Sequence, residues 1–122
     1  MAKVLIMDDE RDLREIWAEA LTEAGHQVRT APDAIEGMKL IGLHEFDIVL
    51  LDFNMPRLSG LEMLKRLRRV ETDLPIVVIT GIADPTVNRA VKEAGATGVY
   101  GKPISLKELT GIVSQFARQP EE

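Results

Sequence analysis

An α/β fold, a parallel sheet with helices on both faces, is predicted by three features of the sequence. Five short apolar runs recur along it: Val4–Met7, Gln27–Thr30, Ile48–Leu51, Ile76–Ile79 and Gly98–Tyr100. Stretches of helical period follow each run, so the order is β-α-β-α-β-α-β-α-β-α. The first, third and fourth runs are continuously apolar rather than alternating, as strands buried on both faces are. Such alternation builds an open sheet, and right-handed crossovers leave few topologies for it.

The elements follow in order. After the first strand, Leu13, Ile16, Trp17, Ala20, Leu21 and Ala24 fall at spacings of three and four and form one apolar helix face. Gly25 follows, suited to a left-handed cap. Ala34 to Leu43 is a weaker helical stretch after the second strand. Leu61, Leu64 and Leu67 line the third helix. Asp84-Pro85 puts a capping side chain before a proline at the first helical position, opening a fourth helix over Thr86 to Ala94 that Gly95 closes. Ser105 and Glu108 form a capping box for the fifth helix, whose face is Leu106, Leu109, Ile112, Val113 and Phe116. Gln119–Glu122 reads as a tail, and residues 1–122 as a single domain with no internal linker.

Composition narrows the function classes. The 122 residues carry 15 Lys+Arg against 20 Asp+Glu, a net charge of −5, which speaks against nucleic-acid binding through bulk charge. There is no Cys, so disulfides, thiol catalysis and Cys-based metal sites are excluded, in keeping with a reducing compartment. No window approaches the roughly 18 apolar residues of a membrane span. The expectation is a cytoplasmic protein with no membrane partner.

In open parallel sheets the working site lies beyond the carboxyl ends of the strands. Asp8 and Asp9 follow the first strand, Asp52 the third, Thr80 the fourth and Lys102 the fifth. Two carboxylates about 4 Å apart repel by about 4 kcal/mol at an effective dielectric near 20, so the cluster calls for a cation. Oxygen-only ligands suit a hard ion, Mg²⁺ above all, and Mg²⁺ favours one or two carboxylates, waters and a phosphate oxygen. Asp52 is then a candidate nucleophile, Thr80 a donor to a phosphoryl oxygen and Lys102 the balancing charge. Taken one at a time, acids at loop starts are helix caps (Asp9 for the first helix) and a Thr after a strand is a turn residue. Five such residues after the right strands are poorly explained that way.

The sequence resembles a receiver domain of a bacterial two-component response regulator. Asp8-Asp9, the run Asp52-Phe-Asn-Met-Pro-Arg-Leu-Ser-Gly60, Ile79-Thr80-Gly81 and Tyr100-Gly-Lys102-Pro103 carry the resemblance, which covers essentially the whole chain. It implies the flavodoxin-like (βα)5 arrangement with strand order 2-1-3-4-5. It implies that Asp52 accepts a phosphoryl group from a sensor histidine kinase or a histidine phosphotransfer protein. Asp8 or Asp9, or both through water, with Asp52 and the backbone carbonyl of Asn54, would hold Mg²⁺, while Lys102 and Thr80 contact the phosphoryl oxygens. Pro103 would follow a cis peptide that aims Lys102, and Met55-Pro56 and Gly60 would shape the turn after Asp52.

The resemblance also implies a switch. Phosphorylation replaces one negative charge on Asp52 by about two. Thr80 would move toward the new oxygens, and Tyr100 would swing inward. The fourth helix, fifth strand and fifth helix would change as a protein-binding surface. Asn54, able to orient an attacking water, and Ile82, able to shield the phosphoryl group, act in opposite directions and imply an intermediate phosphoryl lifetime. No acid precedes Tyr100 in Gly95-Ala-Thr-Gly-Val-Tyr100, which weakens the charge-paired homodimer through that surface found in receivers joined to winged-helix domains.

Several other residues read as structural. Lys65, Arg66, Arg68 and Arg69 suit a solvated helix face better than an acidic partner's dock. Trp17 suits the core, His26 and His44 the surface, and Met38, Met55 and Met63 gap-filling. The output target stays open: another protein, or a DNA-binding or enzymatic domain if the chain is the N-terminal receiver of a longer regulator. A Mg²⁺-dependent aspartyl phosphatase is the rival, disfavoured because Asn54 stands where such enzymes place an acid. A degenerate, non-phosphorylated receiver is disfavoured by the intact set Asp8, Asp9, Asp52, Thr80 and Lys102.

Overall fold

The computed structural model describes residues 1–53, 60–71, 73–81 and 84–118. Its strands are β1 (Lys3–Met7), β2 (Gln27–Ala31), β3 (Ile48–Asp52), β4 (Ile76–Thr80) and β5 (Gly98–Gly101). The helices are α1 (Arg11–Glu23), α2 (Ala34–Leu43), α3 (Gly60–Val70), α4 (Pro85–Glu93) and α5 (Leu106–Phe116). The strands pair in parallel in the order β2-β1-β3-β4-β5, with Val4 opposite Ile48, Val49 opposite Ile76 and Val77 opposite Gly98. The fold class and the strand order are those expected from the sequence.

Burial explains the strand composition. Every residue of β3 and β4 is buried, because helices cover both faces of the sheet centre. Leu5, Met7, Val49, Leu51, Ile76 and Val78 pack on one face with Met63, Leu64 and Leu67 of α3 and Val91 of α4. Val4, Ile6, Ile48, Leu50, Val77 and Ile79 pack on the other with Trp17 and Leu21 of α1 and Leu109, Ile112 and Val113 of α5. Each such aliphatic side chain contributes about 1.5–3 kcal/mol relative to exposure. Edge strand β2 is half-covered and mostly polar, as its QVRTA sequence requires.

The helix punctuation follows local chemistry. Gly25 and Gly95 have φ of 97° and 114°, the left-handed caps expected after α1 and α4. Asp84 accepts a hydrogen bond from the Thr86 amide, and Ser105 accepts one from the Glu108 amide. Two expectations are corrected. Asp9 does not cap α1: Glu10 is its N-cap without a side-chain bond, and the Glu10 amide donates to Asp8 Oδ1. The apolar face of α1 is narrower than its period suggests, because Ile16 is 51% exposed while Trp17 and Leu21 are buried. Among the described residues, no helix is long and apolar enough to cross a membrane.

Candidate functional site

Parallel pairing sets the carboxyl ends of β1, β3, β4 and β5 along one edge of the sheet. Asp8 follows β1, Asp52 ends β3, Thr80 ends β4 and Lys102 follows β5. Carboxylate oxygens of Asp8, Asp9 and Asp52 lie within 4.8 Å of one another. Asp8 and Asp52 are buried, as is Thr80, whereas Asp9 is exposed. A hard cation therefore finds two fixed oxygens at the floor of the cluster and a third at its rim. This donor set, with no nitrogen or sulfur, fits Mg²⁺.

Backbone and side-chain bonds hold Asp8 in place and fix the chain that follows Asp52. The Asp8 amide donates to the Ala31 carbonyl, fixing β1 against β2 where the acid emerges. Asp8 Oδ1 accepts the Glu10 amide at 2.9 Å. Arg14, one turn into α1, donates from Nη1 to the Asp8 carbonyl at 2.8 Å. That residue went unremarked in the sequence, where it lies on the same helix as the apolar stripe and off it. After Asp52, the Phe53 amide donates to the Ile79 carbonyl and the Gly60 amide to the Phe53 carbonyl. A Cβ on Gly60 would lie 2.6 Å from that carbonyl oxygen, so only glycine fits where the chain returns.

Lys102 reaches the cluster from the far side. Its Nζ lies 3.2 Å from Asp8 Oδ2 and 3.4 Å from Asp52 Oδ1. Its amide donates to the Thr80 carbonyl at 2.7 Å, and the Lys102–Pro103 peptide is cis. Burial pushes the ammonium pKa down, but the charges of Asp52 and Asp8 and their hydrogen bonds outweigh it, leaving the pKa raised. Tyr100 lies one residue short of the end of β5, half-buried and edge-on to Phe116 of α5 with ring centroids 6.3 Å apart. Asn54, Met55-Pro56 and Ile82, and the 119–122 tail, lie outside the described residues.

The structural residues divide. Trp17 is 2% exposed and belongs to the core. His44 is exposed, but His26 is half-buried and accepts the Ala2 amide on Nδ1. The basic run of α3 is not uniformly solvated: Lys65, Arg66 and Arg69 are exposed, while Arg68 is half-buried and donates to the Gly95 carbonyl at 2.8 Å. Charge type alone could not reveal this, since Arg68 differs from its neighbours only in the direction the helix gives it.

The chain matches the response regulator receiver domain family over residues 4–114. It is 37% identical over 122 residues to the response regulator MprA of Mycobacterium sp. (strain KMS), covering 98% of this chain and 53% of that protein. It thus spans about half the length of the curated relatives it matches. Among solved structures it is similar to the chemotaxis protein CheY4 of Vibrio cholerae, with a TM-score of 0.90, 32% identity and coverage of 95% and 98% of the two chains. It is also similar to NtrX from Brucella abortus, with a TM-score of 0.87 and 30% identity, covering 93% of this chain and 26% of that one.

Proposed function

The chain belongs to the response regulator receiver family, a family of signalling domains, and on that premise we propose that Asp52 is its phosphoacceptor. The observation that carries the proposal is the convergence of Asp8, Asp9, Asp52 and Lys102: carboxylate oxygens within 4.8 Å and one ammonium on two of the acids. A purely structural ion pair needs neither the third acid nor its exposure. The donor is a phosphohistidine on a sensor kinase or phosphotransfer protein.

In the reaction, an Asp52 carboxylate oxygen attacks phosphorus. The P–N bond of the phosphohistidine breaks, and the imidazole leaves and retains or takes up its proton. Asp8, Asp9, Asp52 and the Asn54 carbonyl would hold Mg²⁺, which would supply positive charge beside the transferring group. Lys102 supplies the second positive charge from the opposite side, already oriented by Asp8. Thr80 donates its hydroxyl to a phosphoryl oxygen. The same edge admits water for hydrolysis, which Asn54 promotes and Ile82 restrains.

The switch reading follows. Thr80 leads directly into the segment before α4, and Tyr100 shares β5 with the residues that reach Lys102. Occupation of Asp52 then shifts the α4, β5 and α5 surface that a target protein, or a homodimer partner, reads. The domain spans residues 1–122 and acts as the receiver part of a longer regulator, in keeping with the relatives' greater length. The test is intact-mass spectrometry after incubation with acetyl phosphate. One phosphoryl group should be gained with Mg²⁺ present and none with Asp52→Asn or with a chelator. Equal labelling of Asp52→Asn would refute the assignment.

A further inference from the structure

The two ends of α4 are held very differently. At the C-terminal end, the Arg68 guanidinium of α3 reaches across to the next helix. Its Nε donates to the Gly95 carbonyl at 2.8 Å, and Nη1 donates to the carbonyls of Glu71, at 3.0 Å, and Leu74. Nη2 lies 3.4 Å from Thr97 Oγ1, which itself accepts the Ile76 amide at 3.0 Å. One rigid cation thus gathers the end of α3, the entry to β4, the cap of α4 and the entry to β5. A planar fork of N–H donors can do this, where a lysine ammonium cannot span the same acceptors. The packing is close: a Cβ on Gly95 would lie 2.7 Å from Arg68 Cγ.

Among the described residues, the N-terminal end makes only local hydrogen bonds, with Val87 packed against the core. Asp84 caps Thr86 within the helix itself, and Asp84, Pro85 and Thr86 are exposed. Asn88, in the first half of α4, has a buried Oδ1 with no hydrogen-bond partner among the described residues. A buried acceptor left unpaired weakens whatever arrangement buries it. Just upstream, a Cβ placed on Gly81 would meet nothing within 4 Å among the described residues.

We propose that Arg68 is a positioning residue that hinges α4 at its C-terminal end, so that α4 moves by swinging the end next to Thr80. This rests on the reading of Asp52 and Thr80 as phosphoacceptor and sensor. The helix then works as a lever whose pivot is the Arg68–Gly95 contact and whose free end follows the strand carrying Thr80. Asn88 sits on the moving part, where a changed packing can give its amide oxygen a partner.

Amide hydrogen exchange on the whole chain tests the hinge in the resting state. Amides of Asn88–Ala90 should exchange about tenfold faster than those of Ala94–Ala96. Arg68→Ala should accelerate Ala94–Ala96 by about tenfold while leaving Leu5 and Ile6 of β1 as they were, and Arg68→Lys should not restore the gradient. Asn88→Leu should slow the first half of α4 alone. Absence of a gradient in the wild type, or an equal acceleration of Leu5, Ile6 and α4 in Arg68→Ala, overturns the hinge. Addition of beryllofluoride with Mg²⁺, a phosphoryl mimic, supplies the second arm. Shifts should reach Asp84–Asn88 and stop before Ala94 in the wild type, and extend to Ala96 in Arg68→Ala. Shifts as large at Ala94–Ala96 as at Asp84 in the wild type overturn the hinge. No shift even at Asp52 refutes the phosphoacceptor reading instead, and the resting gradient still decides the hinge.

Discussion

The Lys102 ammonium lies 3.4 Å from Asp52, although β5 and β3 are not neighbours and β4 runs between them. The lysine crosses above the end of β4 to make this contact, and its backbone amide rests on the Thr80 carbonyl as it does so. Asp52 therefore faces one cation and two like charges. The balance among these four groups is the basis of the first prediction.

Asp52 has an attraction to Lys102 set against repulsion from both Asp8 and Asp9, all at short range. One uncompensated carboxylate pair near 5 Å is worth about 3 kcal/mol at an effective dielectric near 20, less where Asp9 meets water. Asp52→Asn should therefore stabilise the metal-free protein by about 1–2 kcal/mol, a Tm rise of several degrees. Millimolar Mg²⁺ should raise the wild-type Tm more than that of the variant, because binding to the folded state alone stabilises it. Calorimetry with and without chelator reads both effects, and a variant less stable than wild type under chelation would contradict them.

Two glycines should respond differently to alanine. A Cβ on Gly60 meets the Phe53 carbonyl oxygen at 2.6 Å and Phe53 Cα at 2.8 Å, both backbone. Relief would require moving the residue that follows Asp52. Gly60→Ala should cost about 2–3 kcal/mol and depress phosphoryl uptake. A Cβ on Gly37 meets the Met7 side-chain tip, and a thioether can turn aside. Gly37→Ala also gains about 1 kcal/mol of helix propensity, so its loss should be smaller and uptake normal. Urea denaturation of the two variants ranks them.

Trp17 is 2% exposed in the cluster with Ile6, Leu21 and Val113. Trp17→Ala should cost about 3–5 kcal/mol by denaturant unfolding. A loss below about 1 kcal/mol would place the indole outside the core.

His26 accepts the Ala2 amide on Nδ1 at 3.0 Å, which requires a neutral ring nitrogen. Burial, and then the terminal ammonium of Met1, hold its pKa below the ordinary 6.5. The folded pKa is the lower one, so this contribution is present above the unfolded value and is lost as pH falls through the folded value. Stability should drop more between pH 7 and pH 5 in the wild type than in His26→Asn, whose amide oxygen accepts the same bond at either pH. Parallel urea midpoints for the two proteins at both pH values would contradict the assignment.

What was legible in the sequence is what rests on period and position. Continuous apolar runs announce strands buried on two faces, and the residue after each run is the residue at the sheet edge. The placement of Asp8, Asp52, Thr80 and Lys102 along one sheet edge was therefore legible in the sequence. Arg14 and Arg68 were not, because a side chain that donates to backbone carbonyls leaves no pattern of partner residues. Ile16 shows the converse limit: it has the spacing of a core residue, yet α1 turns it half into solvent. Cap geometry was legible at Asp84 and Ser105 but not at Asp9, whose place Glu10 takes while Asp8 accepts the local amide.

The most direct test is to locate the phosphoryl group chemically. Borohydride reduces an acyl phosphate on aspartate to homoserine, which tandem mass spectrometry assigns to a residue. After acetyl phosphate and Mg²⁺, homoserine should appear at position 52 alone and vanish when Mg²⁺ is chelated. Reduction at Asp8 or Asp9 instead, or homoserine at 52 without Mg²⁺, would contradict the assignment of Asp52 as the nucleophile in a Mg²⁺-dependent site.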